Sequence, residues 1–233
     1  MRLFQIPFSH NCVKVRRALD LKGLAYETVN INPAVRRGVK SASGQELVPV
    51  LVDGGHTIAG STQILLAVEE RHPDPPLLPV DERDRAECVV LMHWADAAFM
   101  DLTRRMAYFR VLSGTGADLG KMFFPGRPAA FQRAGGTASA LVLRRRFGIT
   151  AEQNRLDLES AAESARVAVV RLDGEEHLVA GQLTLADITL AAMVAPLQYT
   201  AVAGDPAVER LLDWSRGIMG DDFTPRQIRA ATA

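Results

Sequence analysis

Two cysteines, Cys12 and Cys88, are all that the 233 residues contain. That number excludes a disulfide framework and suits a reducing compartment. Long apolar runs are missing as well: no segment approaches the ~18 uninterrupted apolar residues of a membrane span. The opening Met1-Arg2-Leu3-Phe4-Gln5 lacks the apolar stretch and small-residue cleavage site of a secretory leader. There is no excess of charge, because 27 Lys and Arg stand against 27 Asp and Glu. This balance removes the bulk electrostatic reason to expect nucleic acid or an anionic membrane as a partner. No metal-ligand cluster, phosphate-binding glycine loop or Ser–His–Asp signature is present. These absences define a soluble, cytoplasmic protein without a resident metal as the expectation.

What remains is an ordinary globular mixture, 48% hydrophobic and 23% charged, with enough chain for one large or two modest domains. Residues 1–72 alternate strand and helix signals. Leu3–Ile6 reads as a strand, and residues 10–22 place Cys12, Val15, Ala18 and Leu19 at helical spacing, with Lys14, Arg17 and Lys22 assigned to other faces. Gly23 ends that helix and Tyr26–Ile31 alternates like a half-buried strand. Residues 33–46 read as a loop with at most a short helix. Val48–Val52 and His56–Ala59 flank Asp53-Gly54-Gly55 as a hairpin, and Ser61 caps a further helix.

Four of the twelve prolines fall in His72–Pro79, which reads as a semi-rigid linker spanning residues 73–81. Beyond it the pattern is helical: a long amphipathic helix over 82–112, a break near 113–128, then helices near 129–147 and 151–172. Arg144-Arg145-Arg146 reads as a solvated helix end. In Leu183-Thr184-Leu185-Ala186-Asp187-Ile188, Thr184 and Asp187 form a capping box, and Leu183 and Ile188 occupy the staple positions. The helix from Ile188 to Leu197 is apolar all round and is expected in the core. The tail from Asp221 is polar. The expected fold class is therefore a βαβ-ββα α/β unit (residues 1–72) followed by an all-α unit (residues 82–233).

The chemistry concentrates in Ser9-His10-Asn11-Cys12, a hydroxyl and a thiol three residues apart at a strand-to-helix turn. The first helical turn offers free N–H groups and the positive end of the dipole, which favour a thiolate. Ser9 is either a plain N-cap or a donor to sulfur. Cys12 is either an inert core thiol on the apolar stripe or a reactive one. His10 is either an exposed turn residue or a group that polarises the sulfur or a second substrate. Cys88 reads as core.

Together, Ser9-x-x-Cys12-x-Lys14-Val15-Arg16, Val48-Pro49-Val50-Leu51, Gly60-Ser61-x-x-Ile64 and Leu183–Ile188 resemble the glutathione S-transferase superfamily, on its bacterial, theta/zeta/omega-like side. The resemblance implies a thioredoxin-like N-terminal domain, a helical C-terminal domain, glutathione as co-substrate and a homodimer. It implies that Ser9 hydrogen-bonds the glutathione sulfur, and that Cys12 matches the second cysteine of a glutaredoxin pair. Val48 would pair with the glutathione cysteinyl backbone ahead of a cis-Pro49, and Ser61 would hold the γ-glutamyl carboxylate. Gly60 stands where the family usually carries an acid for the γ-glutamyl ammonium. His93, Trp94, Phe99, Arg104, Arg105 and Tyr108 fall on the helix that lines the family's second-substrate pocket, without individual roles. The implied activity is attack of the glutathione thiol on a small electrophile. The alternatives are a glutathione-dependent thiol–disulfide reductase working through Cys12, or a non-catalytic binding or scaffold protein.

Overall fold

A computed structural model describes residues 1–33 and 36–220; the polar tail from Asp221 lies outside the described residues. The N-terminal part runs β1 (Arg2–Gln5), α1 (His10–Leu21), β2 (Glu27–Asn30), α2 (Arg37–Ser43), β3 (Val50–Asp53), β4 (His56–Ala59) and α3 (Ser61–Arg71). The strands form one sheet in the order β2-β1-β3-β4. β1 is parallel to β2 and antiparallel to β3, and β4 returns antiparallel on β3. The βαβ and ββα orders expected from the alternating signals are therefore both present.

Period-two alternation explains how this sheet is covered on both faces. Leu3 stands opposite Leu51 and Phe4 opposite Val50. The first pair joins Val15, Leu19, Ile64 and Leu65 from α1 and α3 in the main core. The second pair points the other way and packs with Ile31 and Val39. Both faces of the two central strands are thus buried, which holds the C-terminal end of β1 rigidly against the start of α1.

Residues 72–81 carry neither helix nor strand, as the prolines require. Lys22 anchors this stretch: its Nζ lies 2.7 Å from Glu69 Oε2 and donates to the carbonyls of His72 and Pro75. Glu69 Oε1 in turn accepts the N–H groups of Leu77 and Leu78. The remainder is helical: α4 (Glu82–Val111), α5 (Gly116–Phe123), α6 (Ala129–Phe147), α7 (Ala151–Leu172), α8 (Leu185–Val194) and α9 (Pro206–Met219). Every residue of α8 is buried. Asp187 Oδ2 accepts from the N–H and hydroxyl of Thr184, each at 2.7 Å, and Oδ1 accepts the Leu178 N–H at 2.8 Å.

The structure corrects four readings. Residues 116–123, expected within a break, form α5; Gly116 and Gly120 lower its intrinsic helicity, yet a Cβ on Gly120 would stand 2.0 Å from the Gln132 carbonyl oxygen of α6. The glycines are there because two helices approach closely, and the capping box Thr115–Asp118 was the overlooked signal. The buried helix ends at Val194 and continues as a 3-10 turn over Ala195–Tyr199, not as α-helix to Leu197. Ser61 is the first helical residue of α3, and Gly60, at φ +96°, is its N-cap. Lys14, assigned to a face away from the apolar stripe, is fully buried and bonds Asp96 of α4 at 2.7 and 3.0 Å and Thr62 of α3 at 3.3 Å.

Candidate functional site at two helix N-termini

The turn after β1 delivers Ser9 to the N-cap of α1, with φ −73° and ψ 122°. Its carbonyl accepts the N–H groups of Cys12 and Val13 at 2.8 Å, which starts the helix. Its hydroxyl makes no capping bond to the backbone. That leaves the half-buried Ser9 Oγ directed at sulfur: it is one of the groups that lower the pKa of the neighbouring Cys12 thiol.

Cys12 itself has no exposed surface. Burial pushes its thiol up to about 11, against the opposing pull of the Ile6 backbone, Ser9, Arg16 and Arg36. Desolvation thus outweighs the helix N-terminus, and roughly one Cys12 in ten thousand is thiolate at pH 7. Cys88 is buried beside Thr184 and Ala186, and its pKa is also raised by burial.

His10 is buried rather than exposed, and its Nε2 has no hydrogen-bond partner among the described residues. Burial, then the positive charges of Arg104 and Lys14, hold its pKa well below 6.5. The ring is therefore neutral at pH 7, with one nitrogen able to accept and one able to donate.

Asn11 couples the two halves of the site, a role without a signal in the sequence. Ser61 Oγ donates to Asn11 Oδ1 at 3.0 Å, which sets the N-terminus of α3 beside that of α1. Two positive dipole ends then face one region, an arrangement suited to an anion. Gly60 N–H donates to the Pro49 carbonyl at 3.1 Å, and the Val48–Pro49 bond is cis. Ser9, His10 and Cys12 thus stand at the start of α1, and Pro49, Gly60 and Ser61 at the entry to α3, with the Asn11–Ser61 bond between the two groups; Cys12 and His10 are buried beneath the surface. On α4, Phe99 is core and meets Trp94 edge-on at 6.2 Å, His93 faces outward, and Arg105 forms a two-point bond to Asp157. No helix among the described residues is long and apolar enough to cross a membrane.

A mixed four-stranded sheet carrying a cis-proline and two convergent helix N-termini, followed by a helical bundle, defines a thioredoxin-like fold with a helical C-terminal part. Residues 3–76 match the family described as Glutathione S-transferase, N-terminal domain. Glutathione S-transferase Z1 of Arabidopsis thaliana is 40% identical over 90 residues, which cover 37% of this chain and 41% of that protein. A maleylpyruvate isomerase of a Ralstonia species is 30% identical over 120 residues, covering 49% and 57%. The chain thus spans less than two thirds of the length of these curated relatives. The crystal structure of a glutathione S-transferase from Rhodospirillum rubrum F11 superposes with a TM-score of 0.70 at 24% identity, over 96% of this chain and 90% of that one. Residues 3–76 thus carry the glutathione S-transferase N-terminal domain, and the likeness of the remainder to the solved structures is one of fold.

Proposed function

We propose that this protein is a glutathione-dependent enzyme in which Ser9 activates the glutathione thiol for attack on a small electrophile. The observation that carries this reading is the Ser9 hydroxyl, which stands at a helix N-terminus, makes no capping bond to the backbone and already serves as a donor to a thiol, that of Cys12. A free thiol of pKa ~8.5 is mostly protonated at neutral pH. A hydroxyl donating to sulfur, within the field of the α1 N-terminus, favours the anion and strengthens as negative charge develops.

In this reading residues 1–72 bind glutathione, 73–81 link, and 82–233 supply the electrophile's surroundings. Val48, ahead of Pro49, pairs with the cysteinyl backbone. Ser61 and the free N–H groups of α3 take the γ-glutamyl carboxylate, and His10 lies against the sulfur and the second substrate. Gly60 supplies no carboxylate for the ammonium, so glutathione affinity is modest; one missing charge-assisted bond costs roughly 1.5–3 kcal/mol. That same glycine is what favours a non-catalytic binding protein as the second reading. A cytoplasmic homodimer follows from the family likeness alone.

The reductase mechanism requires a reactive Cys12, which full burial and a thiol near 11 oppose. The test pairs Ser9→Ala with Cys12→Ser. Conjugation of glutathione to a generic electrophile should slow roughly 10- to 100-fold in Ser9→Ala, the worth of one hydrogen bond to a charged group, and stay nearly intact in Cys12→Ser. The reverse order would support the reductase. Absence of glutathione binding by calorimetry would support the binding protein.

A further inference from the structure

The helical hairpin α5–α6 carries charge of almost one sign. Between Gly116 and Phe147 stand Lys121, Arg127, Arg133, Arg144, Arg145 and Arg146 against a single acid, Asp118, in a chain whose charges balance as a whole. Asp118 is engaged at its own helix start, where it accepts from the N–H and hydroxyl of Thr115 at 3.0 and 2.7 Å. Among the described residues, one of the six cations forms an ion pair: Arg146 reaches Glu46 at 3.5 Å. Arg144 donates to the Leu112 carbonyl, and the Arg127 guanidinium lies 5.9 Å from the centroid of the Phe131 ring. α6 itself contains no acidic residue.

The same helix turns an apolar face to solvent. Gly136, Ser139 and Leu143 are its buried side. On the other side Phe131, Ala134, Ala138, Leu141, Val142 and Arg145 recur at i, i+3, i+7, i+10, i+11 and i+14 as one exposed stripe. Leu141 is 68%, Phe131 52% and Val142 50% exposed. Helical geometry sets Arg133 and Arg144 along one border of this stripe and Arg146 along the other. The α6 C-terminus accounts for Arg144, Arg145 and Arg146. It accounts neither for Lys121, Arg127 and Arg133 nor for the aliphatic side chains left in water between the arginines.

From this juxtaposition we propose that α6 is an interfacial helix that docks the protein on a bilayer containing anionic lipid. Charge complementarity selects the occupant. Arginines rimming an apolar stripe meet lipid phosphates in the headgroup layer, while Phe131, Leu141 and Val142 enter the acyl boundary, ~5–10 Å deep. The arginine stems are apolar and extend along that boundary with their guanidinium groups in the headgroups. A nucleic acid would neutralise the cations and leave Leu141 and Val142 in water. A second copy of this chain, seated face to face, would cover the stripe but set the same cations against one another. A bilayer satisfies both features. The helix lies on the membrane and does not cross it, because no helix among the described residues is long and apolar enough to do so. The even balance of charge over the whole chain conceals this local excess. The proposal does not rest on the Ser9 reading.

The test is flotation of the full chain with vesicles of phosphatidylcholine alone and of phosphatidylcholine with about one third phosphatidylglycerol, in low and in high salt. Wild type should bind the anionic vesicles about tenfold or more tightly than the neutral ones, and high salt should weaken that binding several-fold. Each arginine held near an anionic surface contributes about a fivefold gain, so Arg133→Gln combined with Arg145→Gln should lose roughly 25-fold. Leu141→Gln combined with Val142→Gln keeps every charge and should lose about tenfold or more. All four side chains are exposed, so both variants should keep the circular dichroism and melting temperature of wild type. Equal binding to the two vesicle types, or binding to neither, overturns the proposal. Vesicle binding that survives in the Leu141→Gln, Val142→Gln variant also overturns it, as adsorption by charge alone. A single-stranded oligonucleotide bound in preference to the vesicles would overturn it in favour of a nucleic acid. A dimer that the same variant converts to monomer, with no vesicle binding by wild type, would overturn it in favour of a second copy.

Discussion

Asp96→Leu removes the carboxylate that faces Lys14 and leaves an ammonium with no exposed side-chain surface. In the native protein Lys14 Nζ holds both Asp96 oxygens, at 2.7 and 3.0 Å, and Thr62 Oγ1 donates to Oδ2 at 2.8 Å. Burial lowers the Lys14 pKa from 10.5, and Asp96 opposes that shift. Without Asp96 the hydrogen-bond partner left to the ammonium among the described residues is Thr62 at 3.3 Å, so the lysine must sit without a counter-charge or lose its proton. Stranding one partner of a buried pair costs about 3–5 kcal/mol, and chemical denaturation at pH 7 should show a loss of that size. The sign of the pH dependence follows from linkage. The folded pKa lies below the unfolded one, so the unfolded state holds the extra proton between them and stability rises with pH across that window, by up to ~1.4 kcal/mol per unit. Asp96→Leu should therefore recover as pH rises from 7 toward 10, more steeply than the wild type. Lys14→Met combined with Asp96→Leu should regain most of the loss and remove that dependence. A single-variant loss under ~1 kcal/mol, or a double variant no better than the single, would refute the reasoning.

Three further outcomes are expected. Asp187→Ala strands the buried N–H groups of Leu178 and Thr184 and should lower stability by about 2–4 kcal/mol in denaturant, while calorimetry shows unchanged glutathione affinity. Gly60→Glu places a side chain at φ +96°, where left-handed backbone costs about 1–2 kcal/mol; the melting temperature should fall while glutathione binding tightens, and weaker binding would mean that position 60 does not face the ammonium. His10 has a folded pKa well below its unfolded value, so the unfolded chain takes up the proton first and stability falls as pH drops below about 6.5. His10→Gln should flatten that part of the pH–stability curve measured by denaturation.

The features legible in the sequence are those written in local pattern. The short apolar runs around Leu3 and Leu51, the Asp53-Gly54 turn, the prolines at 73–79 and the Thr184–Asp187 box each depend on neighbours within a few residues, and each corresponds to an element of the fold. What escaped is long-range. Lys14 looks like a surface lysine until α3 and α4 bring Thr62 and Asp96 to it from 48 and 82 residues away. Gly116 and Gly120 look like part of a break until their missing side chains, with that of Gly136, prove to be where α5 and α6 touch. At the site, Ser9 and Ser61 could be picked out as helix-start residues, but the Asn11 bond that sets one beside the other spans 50 residues.

Ultraviolet titration of the glutathione thiolate bound to wild type and to Ser9→Ala tests the Ser9 claim most directly. If Ser9 stabilises the anion, the wild-type complex should titrate below the ~8.5 of a free thiol. Ser9→Ala should move that titration up by about one unit or more, the equivalent of one hydrogen bond to a charged sulfur. Coincident titrations in the two proteins, with glutathione bound equally well by both, would contradict the assignment of Ser9.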